Sequence, residues 1–154
     1  MKRNSQLSGV LHVLLHMAER DAPSTSEDLA RAMDTNPVVV RRVLAGLRDK
    51  GIVRSGKGHG GGWTMAKPLE KITLRDIHEA LGAPELLAIG HRAETPECLV
   101  ERAVNAALGA VFEDAEAVLL AGFEAVTLAQ LSADFHMRLR AARPHQKRAS
   151  THAS

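Results

Sequence analysis

From Leu7 the apolar positions Val10, Leu11, Leu14, Leu15 and Ala18 recur at helical spacing, with Asn4 or Ser5 ahead of them as a cap. That pattern predicts a first helix of ~15 residues ending near Asp21-Ala22-Pro23. Ser24 and Glu27 have the S-x-x-E spacing of a capping box, and Leu29, Ala30 and Met33 supply the stripe of a short second helix that breaks at Asp34-Thr35-Asn36. Asn36 then caps a third helix, predicted over 37–50, with Pro37 where a missing N–H costs nothing and Gly51 as a left-handed stop. Two short extended runs, IVRS at 52–55 and GWTMA at 62–66, flank a glycine-rich segment and predict a hairpin with a flexible tip. ITLRDIHEAL at 72–81 predicts a helix opened by Thr73, with Asp76 as its first-turn partner and Gly82 and Pro84 closing it.

After a less regular stretch to about Glu94, Thr95-Pro96 leads into a long helix carrying Val104, Leu108, Val111, Phe112, Ala115, Val118 and Leu119 on one face. Gly122 and Thr127 punctuate it, TLAQLSADFHMRL predicts a last helix, and the basic tail from Arg143 is expected to be disordered. The fold class implied is mainly α with a small β-hairpin. Helix, helix, turn, helix, hairpin is the order of a winged helix-turn-helix, expected over 1–82, with linker and dimerisation helices over 83–141 and a disordered tail over 142–154. The long helix has no partner for its stripe in so small a domain. A second copy is the simplest one, because most soluble homo-oligomers are two-fold dimers with a self-complementary patch; the alternative is a monomer folded back on the first helix.

Composition narrows the function classes. At 154 residues with 45% hydrophobic content the chain can build its own core, and Cys98, its one cysteine, can form no disulfide within the chain. A reducing cytoplasm suits it. The start MKRNSQLSGVLHVLLHMAER has basic residues before an apolar run, but His12 and His16 interrupt that run and no small-residue cleavage site follows. No window reaches the ~18 uncharged apolar residues of a membrane span, so a soluble chain without a membrane partner is expected. The formal charge of +2 conceals an asymmetry. Residues 1–75 hold thirteen Lys and Arg against seven Asp and Glu, while residues 76–141 hold four against eleven. The front half is the candidate anion binder.

The segment VRSGKGHGGGWTMA, Val53 to Ala66, imitates two enzyme loops. A phosphate loop needs Ser or Thr after Gly-Lys and a helix beyond; here Gly58 follows Lys57, and Trp63-Thr64-Met65 reads as a strand. HGGGW at His59 to Trp63 matches an oxyanion loop, but no G-x-S-x-G nucleophile elbow occurs anywhere. No catalytic residues are therefore expected.

In the third helix Val40, Val43, Leu44 and Leu47 share one face, and Val38, Arg41, Arg42, Ala45 and Asp49 lie opposite. Small and basic residues near the N-terminal end suit a recognition helix, because the major groove admits a helix whose outer side chains reach base edges. Of Arg41 and Arg42, one would reach a guanine edge and the other a phosphate. TNPVVVRRVLAGLRDKGIVRSGKGHGGGWTMAKPLEKITLRDIHEAL, Thr35 to Leu81, resembles the Rrf-two family of winged-helix transcriptional regulators, the group of IscR, NsrR and CymR. NPVVVRR and the pattern G-x-V-x-S-x-x-G-x-G-G-G-[WY] are its most specific signals, and the likeness extends to the N-terminal NSQLSGVLHVLLHMAE and more weakly to the rear helix, resembling most the YwnA-like branch without a cluster.

That resemblance implies a homodimer on double-stranded DNA with a palindromic operator. It would place Thr35, Asn36, Val38, Arg41 and Arg42 toward the major groove, Lys57 in the minor groove, and Lys2, Arg3, Asn4 and Ser5 near the backbone. His59 would add a phosphate contact when protonated, and Trp63 would anchor the wing to the core. The expected function is a DNA-binding repressor under thiol, redox or small-molecule control; the rival is a winged-helix protein-interaction module.

Cluster-binding relatives carry three cysteines between the wing domain and the dimer helix, and Cys98 alone does not supply them, so no iron-sulfur cofactor is expected. Near a helix N-terminus Cys98 would gain thiolate character and serve as an oxidant sensor, against which stand the charges of Glu94, Glu97 and Glu101. An unreactive thiol is the alternative. His12 and His16 have metal-compatible i, i+4 spacing, but Val13 stands where a metalloprotease helix has glutamate, so surface or interface histidines are expected and no metal site.

Overall fold

A computed structural model describes residues 6–87 and 97–142. Helix α1 (Gln6–Ala18) buries Val10, Val13, Leu14 and Met17, the predicted stripe shifted onto Val13 and Met17. Its expected caps, Asn4 and Ser5, lie outside the described residues. Helix α2 (Ser26–Ala32) starts one residue later than a Ser24–Glu27 capping box requires: Thr25 is the N-cap, and its hydroxyl accepts from the Asp28 amide at 3.1 Å. The reason is tertiary. Ser24 is drawn beside the hairpin, its amide donating to the Trp63 carbonyl at 3.0 Å and its carbonyl accepting from the Trp63 amide at 2.9 Å. That pairing buries the Ser24 side chain and leaves its hydroxyl without a partner.

Helix α3 (Pro37–Asp49) has the predicted cap, the Asn36 side-chain oxygen accepting from the amides of Val38 and Val39. It stops at Lys50, and Gly51 follows with φ +71. Strands β1 (Val53–Gly56) and β2 (Gly62–Met65) pair antiparallel, with Ser55 opposite Trp63 and Gly56 opposite Gly62. A 3-10 turn (Leu69–Lys71) leads to α4 (Leu74–Ala80), where Thr73 and Asp76 close the expected capping box in both directions. Helix α5 (Leu99–Glu124) begins after Cys98; Thr95 and Pro96, expected to open it, lie outside the described residues. Gly122 does not interrupt it, because a single exposed glycine costs a helix only about 1 kcal/mol. Helix α6 (Leu128–Ala142) opens with a second reciprocal cap: the Gln130 amide donates to the Thr127 hydroxyl, and the Thr127 amide to the Gln130 side chain.

One core joins α1, α2, α3, the hairpin, α4 and the start of α6. Leu14, Val40, Leu47, Ile72, Ile77 and Leu128 have essentially no exposed surface. Leu128 is brought back to this core by an isolated bridge, in which its amide donates to the Ile72 carbonyl at 2.9 Å and the Leu74 amide to the Val126 carbonyl at 3.0 Å. Helix α6 therefore packs on α1 and the 3-10 turn, while α5 packs on α4. There Phe123 meets His78 edge-on at 5.9 Å, and Glu124 accepts from Arg75 at 2.9 Å.

Candidate nucleic-acid interface

The core decides which face of α3 is free. With Val40, Val43, Leu44 and Leu47 buried, Val38 is turned out at 69% exposure and Arg41 and Arg42 lie on the surface beside it. Asn36 cannot spend its oxygen elsewhere, because two backbone amides already use it; its amide nitrogen is what remains for another partner. Thr35 is half-buried and its amide is tied to the Ala30 carbonyl. Arg41 is not a free cation: its guanidinium donates to Glu27 of α2 at 3.0 Å, an ion pair in which both side chains are more than half exposed. Water screens such a pair, so a phosphate or a base edge can displace it at little cost. Arg42 has no ion-pair partner among the described residues.

The glycines of the hairpin answer a packing demand. A Cβ on Gly62 would stand 2.7 Å from the Ser24 carbonyl oxygen, and one on Gly61 would stand 2.5 Å from that of Gly56. Glycine there lets the chain fold back tightly, and Gly61 closes the tip by donating to the Gly58 carbonyl at 3.0 Å. Trp63 fixes the wing from below, buried and donating from its indole Nε1 to the Ser26 hydroxyl at 3.0 Å. Lys57 and His59 stand exposed on the tip.

One residue of this surface escaped the sequence reading. Arg54 lies on the exposed side of β1 and donates to the Thr64 hydroxyl at 3.2 Å across the hairpin. With Ser55, Lys57, His59, Thr64 and Pro23 it lines a concavity of about 240 Å3 along the wing. Little in the sequence signals it: Ile52 and Val53 are both buried and Arg54, Ser55 and Gly56 all exposed, so no alternation marks Arg54. Lys2, Arg3, Asn4 and Ser5 lie outside the described residues.

A helix with an exposed basic face packed against a glycine wing has known relatives. The model of the Rrf2 family, described as iron-dependent transcriptional regulators, matches residues 3–134. The chain belongs to the Rrf2 family. It is 32% identical over 113 residues to YwnA of Bacillus subtilis (strain 168), a proposed HTH-type transcriptional regulator, covering 73% of this chain and 84% of that one. Among solved structures, one of a proposed transcriptional regulator from Lactobacillus plantarum superposes with a TM-score of 0.70 at 23% identity, covering 90% of this chain and 98% of the other. CymR, the global cysteine regulator of B. subtilis, superposes with a TM-score of 0.57 at 19% identity, covering 86% of this chain and 97% of CymR. These structures carry the fold, and the family carries the activity: this Rrf2 protein is a winged-helix, DNA-binding transcription regulator.

The family's description names iron, and the chain's own thiolates are too few for the usual iron-sulfur ligand set. An iron-sulfur cluster takes thiolates as its usual ligands, and the chain has one cysteine. Among the described residues no group of three or more His, Cys, Asp or Glu is arranged to hold a metal. Cys98 is exposed at the N-terminus of α5. Its sulfur closes no capping hydrogen bond, but the backbone amides of Glu101 and Val100 face it and hold its pKa below the ordinary thiol value. Among the described residues no helix is long and apolar enough to cross a membrane.

Proposed function

We propose that this Rrf2 protein is a homodimeric repressor that occupies a palindromic operator. The reading is carried by one observation: burial of the apolar face of α3 turns Arg41 and Arg42 outward, and the strand packed against α3 leads into a hairpin that exposes Arg54, Lys57 and His59. The N-terminal half of α3 would enter the major groove, with Val38 against base methyl groups and Arg42 on a guanine edge or a phosphate, and Arg41 exchanging Glu27 for DNA. Lys57 would follow the minor groove, helped by Arg54 and His59, with glycine amides free to meet phosphates. Lys2, Arg3, Asn4 and Ser5 would approach the backbone from the start of the chain.

The dimer is supported by α5, whose exposed apolar residues stand among acidic ones, Glu101, Glu113, Asp114 and Glu116. Val104, Leu108, Val111, Val118 and Leu119 are all exposed on it. A patch of this kind seeks a partner, and a second copy satisfies it while setting two recognition helices about one helical turn of DNA apart. No cluster is part of the proposal; control would pass instead through the Cys98 thiol, whose lowered pKa favours reaction with an oxidant or electrophile.

Titration of palindromic and scrambled duplexes over a salt series tests the reading. Preference for the palindrome with affinity falling steeply as salt rises is expected, and no binding at ~50 mM salt would remove it in favour of a protein-interaction module. Diamide treatment of the wild type and Cys98→Ser tests the control: equal responses in the two proteins would exclude the thiol.

A further inference from the structure

On the side of α1 that faces α6, His12 and His16 are stacked with ring centroids 4.7 Å apart, and their Nε2 atoms stand 2.8 Å from each other. They open onto a groove of about 500 Å3 with Leu11 and Leu15 as its floor and Phe135 of α6 as its far wall. Both rings are exposed, and neither takes part in the DNA-facing surface. Glu19, a further turn along α1, also lines the groove but accepts from His136 Nε2 of α6 at 3.0 Å.

We propose that this groove is a site for a late first-row divalent cation, with His12 and His16 as its two protein ligands. The 2.8 Å hydrogen bond shows that the two Nε2 atoms of neighbouring turns come within reach of one ion. Imidazole donors suit the late first-row ions, and affinity along that series peaks at Cu2+. In the absence of an ion one imidazole donates to the other; to bind one, the donor ring carries its proton on Nδ1 instead of Nε2, and both rings turn so that their Nε2 lone pairs converge on an ion off the line between them. Glu19 is engaged with His136, so the described geometry supplies two donors and the groove leaves room for water in the remaining positions. Engaging neighbouring turns of one helix, the ion rigidifies α1 beside its contact with α6.

The full chain is titrated with CuSO4, NiCl2 and ZnSO4 by calorimetry, and the Cu2+ complex is examined by electron paramagnetic resonance. The expected result is one strong site per chain in the order Cu2+, Ni2+, Zn2+, with nitrogen couplings from two imidazoles. His12→Ala and His16→Ala should each weaken it at least tenfold and His12→Ala/His16→Ala should abolish it, while His136→Ala leaves it in place. Circular dichroism checks that these exposed substitutions keep the helices. The same strong site and the same nitrogen couplings in the folded double variant would overturn the proposal, because the ion would then be held elsewhere. Binding no stronger than that of the double variant would overturn it too, leaving only a hydrogen-bonded histidine pair.

Discussion

Helix α3 hides Val40, Val43, Leu44 and Leu47 from water, whereas α5, twice as long, hides nothing among its 26 residues. Both are amphipathic, so the difference lies in what each was built to meet. The apolar face of α3 is answered inside the chain by α2, α4 and the hairpin, which leaves its other face fixed in direction and free to carry Val38, Arg41 and Arg42 outward. Among the described residues, Phe123 of α5 meets His78, while Val104, Leu108, Val111, Val118 and Leu119 stay exposed. One region closes its apolar face within the chain, and the other leaves it exposed.

The largest expected effect breaks the finished region. Leu44→Ala removes a side chain with 1% exposure and should cost about 3 kcal/mol, read as a fall in the unfolding midpoint in urea. Val111→Asp, at 61% exposure on α5, should instead turn the dimer into a monomer in light scattering while the Trp63 fluorescence of the folded domain is retained. If Val111→Asp unfolds the domain, the division between the two regions is wrong. Next in size, Arg42→Ala and Lys57→Ala should each weaken operator binding about tenfold, with dimer mass and unfolding midpoint unchanged. Lys57→Ala should also lower the salt slope by ~1, since it removes a contact to the backbone.

A smaller pair of substitutions sharpens the capping of α2. Thr25→Ala should cost about 1 kcal/mol, because the Asp28 amide loses its acceptor. Ser24→Ala should cost nothing or stabilise slightly, because the buried Ser24 hydroxyl has no partner to lose. Smallest is an effect on reactivity rather than stability. The alkylation rate of Cys98 should rise with pH about a midpoint below that of the urea-unfolded chain, since the amides of Glu101 and Val100 favour the thiolate only in the folded protein. A coincident midpoint would mean that these amides do nothing for the sulfur.

Local chemistry made much of this readable in advance. Asn36-Pro37, the Thr73–Asp76 box, the α3 stripe and the paired runs around the glycines each specify an element through neighbours a few residues away, and each formed where expected. Ser24 misled because two adjacent residues, Ser24 and Thr25, can both cap a helix, and the choice is made by Trp63, far along the chain. The return of Leu128 to the core and the Arg41–Glu27 pair were hidden for the same reason, since neither leaves a periodic trace in the sequence. On the candidate surface, the exposure of Arg42, Lys57 and His59 followed from face and loop, and their part in DNA binding is a proposal. Arg54 was passed over because a four-residue strand shows too little alternation to draw attention to one outward side chain.

The most direct measurement is the mass and salt dependence of the complex formed with a palindromic duplex selected from a random pool. Two chains on each duplex are predicted, with affinity falling steeply from ~50 mM to ~200 mM salt and largely lost in the folded Arg41→Ala/Arg42→Ala/Lys57→Ala variant. Undiminished binding by that variant, or a duplex that carries a single chain, would contradict the account.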